Sequence, residues 1–110
     1  MKNKIKFSIK KDLEVGNYKL LDISMGLEYS KSLREVFGKN LEKFLSEVEV
    51  RITRKSWQIW IDDSKGSIMI NRNYLKKSQN KILYLDFVHE LVHLKQLNDG
   101  KELFHKHLKY

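Results

Sequence analysis

Apolar residues change their spacing several times along the chain, and each change marks an element. Ile5, Phe7 and Ile9 alternate with lysine and serine, the two-residue period of a half-buried strand, so residues 1–12 read as a strand or a detachable arm. Gly16 and Asn17 signal a turn, with "YKLLDI" as a short extended piece after it. From Leu33 through Val36, Phe37, Leu41, Phe44 and Leu45 the spacing becomes three and four, which predicts one amphipathic helix over residues 30–46. Ser32 and Glu35 would form its capping box, and Gly38 weakens its middle by about 1 kcal/mol relative to alanine. Alternation returns at Val48, Val50 and Ile52, at Trp57, Ile59 and Ile61, and at Ile68 and Ile70. These predict three short strands, the last two joined as a hairpin by residues 62–66.

After the polar connection "KKSQN", a strongly apolar helix is expected from Lys81 to Asn98, with Gly100 as its stop signal. Residues 101–110 would then make two or three turns of a separate, short C-terminal helix. The elements sum to one domain over residues 1–110 of small α+β class: an N-terminal helix, a three-stranded and mainly antiparallel sheet, an apolar helix and a C-terminal helix.

Composition narrows the setting. Of 110 residues, 41% are hydrophobic and 33% charged, and no apolar run approaches the roughly 20 residues that span a bilayer, so membrane insertion is not expected. Cysteine is absent, which removes disulfides and thiolate ligands. The lysine-bearing N-terminus has no apolar core or cleavage site of a secretory signal, and with the lack of cysteine this favours the cytoplasm. A net charge of +8 invites a nucleic-acid reading, but the lysines are scattered along the chain rather than gathered on one face. A solvated basic surface is the plainer expectation.

The chemistry concentrates in "FVHELVHL", residues 87–94. Phe87, Val88, Leu91, Val92 and Leu94 wrap most of the helix, so His89, Glu90 and His93 are not expected all to reach bulk water. Left buried without partners, each would cost about 1–3 kcal/mol. The spacing suggests a partner for them. His89 and His93 are four residues apart, a little over one turn, so both imidazoles can reach a single zinc ion. Glu90 lies one residue round, poorly angled to bind the same ion but well placed to accept a proton from a water on it. This arrangement suits hydrolysis of a peptide bond.

"HELVH" on an apolar helix, preceded by an amphipathic helix, short strands and the edge-like strand "SIMINR", resembles the zincin metallopeptidases. In compact size the chain looks most like the minigluzincins, small single-domain relatives of the gluzincins, and the similarity runs from about residue 30 onward. The resemblance implies a zinc-dependent endopeptidase with His89 and His93 as ligands and Glu90 as base. It implies that an extended peptide is bound by strand addition, a role that would fall to Ser67, Ile68, Met69, Ile70 and Asn71. A third ligand is expected after His93, from Glu102 or His105, with His107 a further histidine in reach. Asp99 holds the last position of the related metzincin pattern, but Gln96 stands where that pattern has its glycine, so Asp99 is expected, with Asp86, only to orient a ligand ring. Tyr74, Tyr84 and Tyr110 are candidates for binding an oxyanion, with none singled out. Residues 101–110 would occupy the cleft of a latent form, within one chain or by exchange in a homodimer. The competing reading is a non-catalytic basic module for nucleic acid, in which the histidines are structural.

Overall fold

A computed structural model of the chain describes residues 7–62 and 66–107, with side chains up to residue 99. The strands are β1 (Ser8–Ile9), β2 (Gly16–Lys19), β3 (Ser24–Met25), β4 (Glu49–Thr53), β5 (Ile59–Asp62) and β6 (Ser67–Asn71). The helices are α1 (Leu20–Ile23), α2 (Lys31–Phe37), α3 (Leu41–Glu47), α4 (Arg72–Lys77) and α5 (Asn80–His107). The α+β class holds. The sheet is larger than the three strands expected: β2, β4, β6 and β5 lie side by side in that order, and β1 and β3 form a separate antiparallel ribbon.

The alternating strands pair as their patterns require. Val50 and Ile52 of β4 lie beside Ile68 and Ile70 of β6 in a parallel pair, and all four are fully buried on the helical side. β5 folds back against β6 as the expected hairpin, with Ile59 opposite Ile70 and Asp62 opposite Ser67. β6 is therefore the centre of the sheet, and its residues 67–70 are buried on both faces. Being paired on each side, it is not the edge that its sequence suggested. The edge nearest the long helix is β5, which packs against α5 and has no strand on its outer side among the described residues.

Three helical expectations change. The run 30–46 is two helices separated by a single 3₁₀ turn, because Gly38 adopts φ 59°, a left-handed conformation that ends α2. Ser30 caps α2, its Oγ accepting from the Leu33 N–H at 3.3 Å, where Ser32 had been expected to cap. "YKLLDI" divides into the end of β2 and α1, which buries Leu20 and Ile23 one turn apart.

The C-terminal helices merge. α5 runs 28 residues without a break at Gly100, so residues 101–107 continue its axis instead of forming a separate helix. Its buried stripe is Leu83, Phe87, Leu91 and Leu94, at spacings of four, four and three, all part of the single core. Among the described residues no helix is long and apolar enough to cross a membrane. Of the expected N-terminal strand, residues 1–6 lie outside the described residues, while Ser8 and Ile9 pair with Met25 and Ser24.

Candidate metal centre on helix α5

The stripe that anchors α5 decides where its polar residues point. With Leu83, Phe87, Leu91 and Leu94 inward, His89 and His93 fall on the opposite face and both are exposed, contrary to the burial expected for them. The five apolar neighbours, Phe87, Val88, Leu91, Val92 and Leu94, do face the core, but at about 100° per residue they cover less than half of the circumference and leave the arc of His89 and His93 open, where Ile82 and Leu85 are also exposed, 44% and 55%. Neither imidazole is hydrogen-bonded among the described residues. The cost of unpaired burial therefore does not arise, and the case for a metal rests on spacing alone.

The two rings stand with centroids 6.4 Å apart and planes at 79°. Zinc–nitrogen bonds of about 2 Å in tetrahedral geometry would bring such centroids to about 5 Å. Rotation of one exposed side chain closes that difference, so the pair fits two corners of a zinc shell. The third corner is less well served. Among the described residues no group of three or more histidines and carboxylates could hold a metal ion. The side chains of Glu102 and His105 lie outside the described residues, and the rise of an unbroken helix sets their backbones about 13 and 18 Å along the axis from His93, with His107 farther still. For Glu102 or His105 of the same chain to join His89 and His93, α5 would have to break, with Gly100 the obvious place.

Glu90 is half-buried. Desolvation raises its pKa above the ordinary carboxylate value, and the Asp86 carboxylate adds to the rise, while positive charge on His89 and His93 opposes it. Asp86 is itself engaged from outside the helix. α4 brings Tyr74 across to it, and the Tyr74 hydroxyl donates to Asp86 Oδ2. Burial first, then that hydrogen bond, push the Tyr74 pKa up to about 12, so the phenol stays a donor. Tyr74 thus packs against the core and reaches the motif through its hydroxyl, whereas Tyr84, also packed against the core, meets Ser30. Asp99 lies about 9 Å along the helix from His93 and accepts from Lys95 Nζ at 2.6 Å, so the structure does not put it on a histidine ring.

The strand Ser67–Asn71 does not border this face as a free edge. Ser67, Ile68, Met69 and Ile70 are packed on both sides, and Asn71 caps α4, its Oδ1 accepting from the Tyr74 N–H at 2.9 Å while its backbone N–H donates to Gln58 O. A peptide adding to the sheet beside α5 would meet β5. The link from Asn71 to Tyr74 was the signal missed in the sequence: an asparagine ahead of "RNYLKK" is an N-cap, and the helix it opens carries Tyr74 to Asp86. No protein-family model, no curated protein and no solved structure matches the chain.

Proposed function

We propose that the chain is a zinc-dependent peptide hydrolase of minimal zincin type. The observation that carries this reading is the exposed pair His89 and His93, one turn apart, flanking a half-buried Glu90 whose proton affinity is raised. Those two imidazoles would hold the zinc, which when bound supplies Lewis acidity and a water whose pKa falls to about 7. Glu90 takes a proton on its carboxylate and returns it to the nitrogen of the departing amine. Its raised pKa brings it closer to the operating pH, where a carboxylate both accepts and releases protons well. The Tyr74 to Asp86 hydrogen bond fixes a second carboxylate one turn before Glu90 and helps keep Glu90's affinity high. The outer edge of β5, against α5, offers backbone N–H and C=O groups to an extended peptide.

The third protein ligand is proposed to come from Glu102 or His105 after a break in α5, or from the C-terminal segment of a second chain. With α5 unbroken the enzyme is latent. The test measures zinc bound per chain and hydrolysis of a quenched fluorescent peptide mixture by wild type, H93A and E90Q. Expected are about one zinc in wild type and E90Q, none in H93A, and turnover only in proteins that keep Glu90: the wild type or, if the full chain is silent, G100P, which breaks α5 and leaves Glu102 and His105 attached. Zinc uptake that survives the loss of His93 would overturn the reading, as would turnover by E90Q.

A further inference from the structure

A second site lies at the other end of α5's described length. Phe7, the turn before α2, the start of α2 and the first turn of α5 enclose a cavity of about 420 Å³, within the range of small-molecule sites. Its walls include three aromatic rings, Phe7, Tyr29 and Tyr84, with Phe7 and Tyr84 centroids 5.8 Å apart. Lys31 and Lys81 stand at its rim, both exposed and without an ion pair among the described residues, and none of the lining residues is acidic. Ser30, 4% exposed, lies at its base with Oγ 2.7 Å from the Tyr84 hydroxyl.

The hydroxyl pair has a definite capacity. Ser30 Oγ already accepts from the Leu33 N–H. One of the two hydroxyls donates to the other, so whichever way that bond runs, one O–H hydrogen is left for an outside acceptor. Two ammonium groups, one spare hydroxyl donor and no carboxylate favour a doubly charged anion over a neutral ligand. Lysine recognises phosphate as a point charge and does not need the planar fork that a carboxylate shares with arginine. The aromatic walls ask for a ring, which bare phosphate lacks.

We propose that this cavity binds a small aromatic compound carrying a phosphate group, with Lys31 and Lys81 on the phosphate and Phe7, Tyr29 and Tyr84 around the ring. The site is separate from the histidine pair: Tyr84 and His89 are about 7 Å apart along the helix axis and about 140° apart around it. It does not depend on the peptidase reading.

The full chain, kept metal-free with EDTA, is titrated calorimetrically with phenyl phosphate and separately with inorganic phosphate. Phenyl phosphate is expected to bind at least tenfold more tightly. K31A and K81A should each weaken it about tenfold, while K43A, an exposed lysine on α3 away from the cavity, should leave it unchanged; thermal melting confirms that all three remain folded. Equal affinity for the two anions would overturn the proposal, and so would K31A and K81A proteins that bind phenyl phosphate as well as wild type, or a loss in K43A as large as theirs.

Discussion

Removing His89 or His93 should leave the fold intact and abolish its response to zinc. Both rings are exposed and make no hydrogen bond among the described residues, so each alanine substitution falls in the surface class, within about 0.5 kcal/mol. For 110 residues the unfolding entropy is about 0.23 kcal/mol/K, so that change moves the melting temperature by about 2 °C. Zinc acts on a different scale. An ion that binds only the folded chain stabilises it by about 2.7 kcal/mol when its free concentration is a hundredfold above Kd. The same entropy converts this to a rise of at most about 12 °C. Differential scanning calorimetry of wild type, H89A, H93A and the double variant, with EDTA and then with buffered zinc, separates the two effects. Four nearly coincident melts in EDTA and a zinc shift in wild type alone are expected. An alanine variant that lost more than about 5 °C in EDTA would make its ring a structural group, and variants that kept the zinc shift would remove these histidines from the ligand set.

Three further outcomes follow from the packing and the charges around α5. Glu90's raised proton affinity belongs to the folded chain, so the folded state holds a proton that the unfolded state has released, and stability falls as pH rises from the ordinary carboxylate range through the raised value. E90Q should flatten that part of the stability profile in urea titrations, and an unchanged slope would contradict the assignment. Phe87 is fully buried in the single core, and F87A should cost about 3–5 kcal/mol in denaturant unfolding, whereas a loss below about 1 kcal/mol would mean the stripe of α5 is misplaced. Tyr74 should ionise at about 12 in an ultraviolet pH titration, and because the folded state keeps its proton, the stability it contributes is lost as pH rises from 10 towards 12. Y74F should remove that alkaline transition and cost about 1–2 kcal/mol by leaving Asp86 without its donor.

Local periodicity carried the elements well and their arrangement poorly. The β5–β6 hairpin was legible because the alternation of Trp57–Ile61 and of Ile68 and Ile70 brackets one short turn. The parallel pairing of β4 with β6 was not, since it joins residues about 18 apart with β5 looped between them. A hint was present in "SIMI", an apolar stretch more typical of a strand covered on both faces than of an edge. Gly38 was visible as a weak point, but only its φ of 59° turns weakness into a break. Gly100 misled in the opposite direction, as the helix continues through it. In the candidate centre, the one-turn spacing of His89 and His93 could be read directly, whereas their exposure was hidden by five apolar neighbours, Phe87, Val88, Leu91, Val92 and Leu94, that suggest an encircled helix while covering less than half of its circumference. Tyr74 was invisible beside them for a topological reason: α4 must first be recognised before it can deliver the phenol to Asp86.

The outer flank of β5 has a cost for the molecule's colloidal behaviour. Ile59, Trp60 and Ile61 follow one another there, and the neighbouring Trp57 is 62% exposed with its ring against that of Trp60. Beside such side chains, the outer ladder groups of Ile59 to Ile61, which face no further strand among the described residues, are a template on which any unfolded or partly folded copy can lengthen the sheet. Only Ile59 to Ile61 are available, since the Asp62 carbonyl accepts from the Gly66 N–H, which keeps each encounter short-lived, and the +8 charge pushes copies apart at low ionic strength. Salt that screens this repulsion removes one of the two safeguards, so concentrated stocks of the protein should precipitate first where ionic strength is highest.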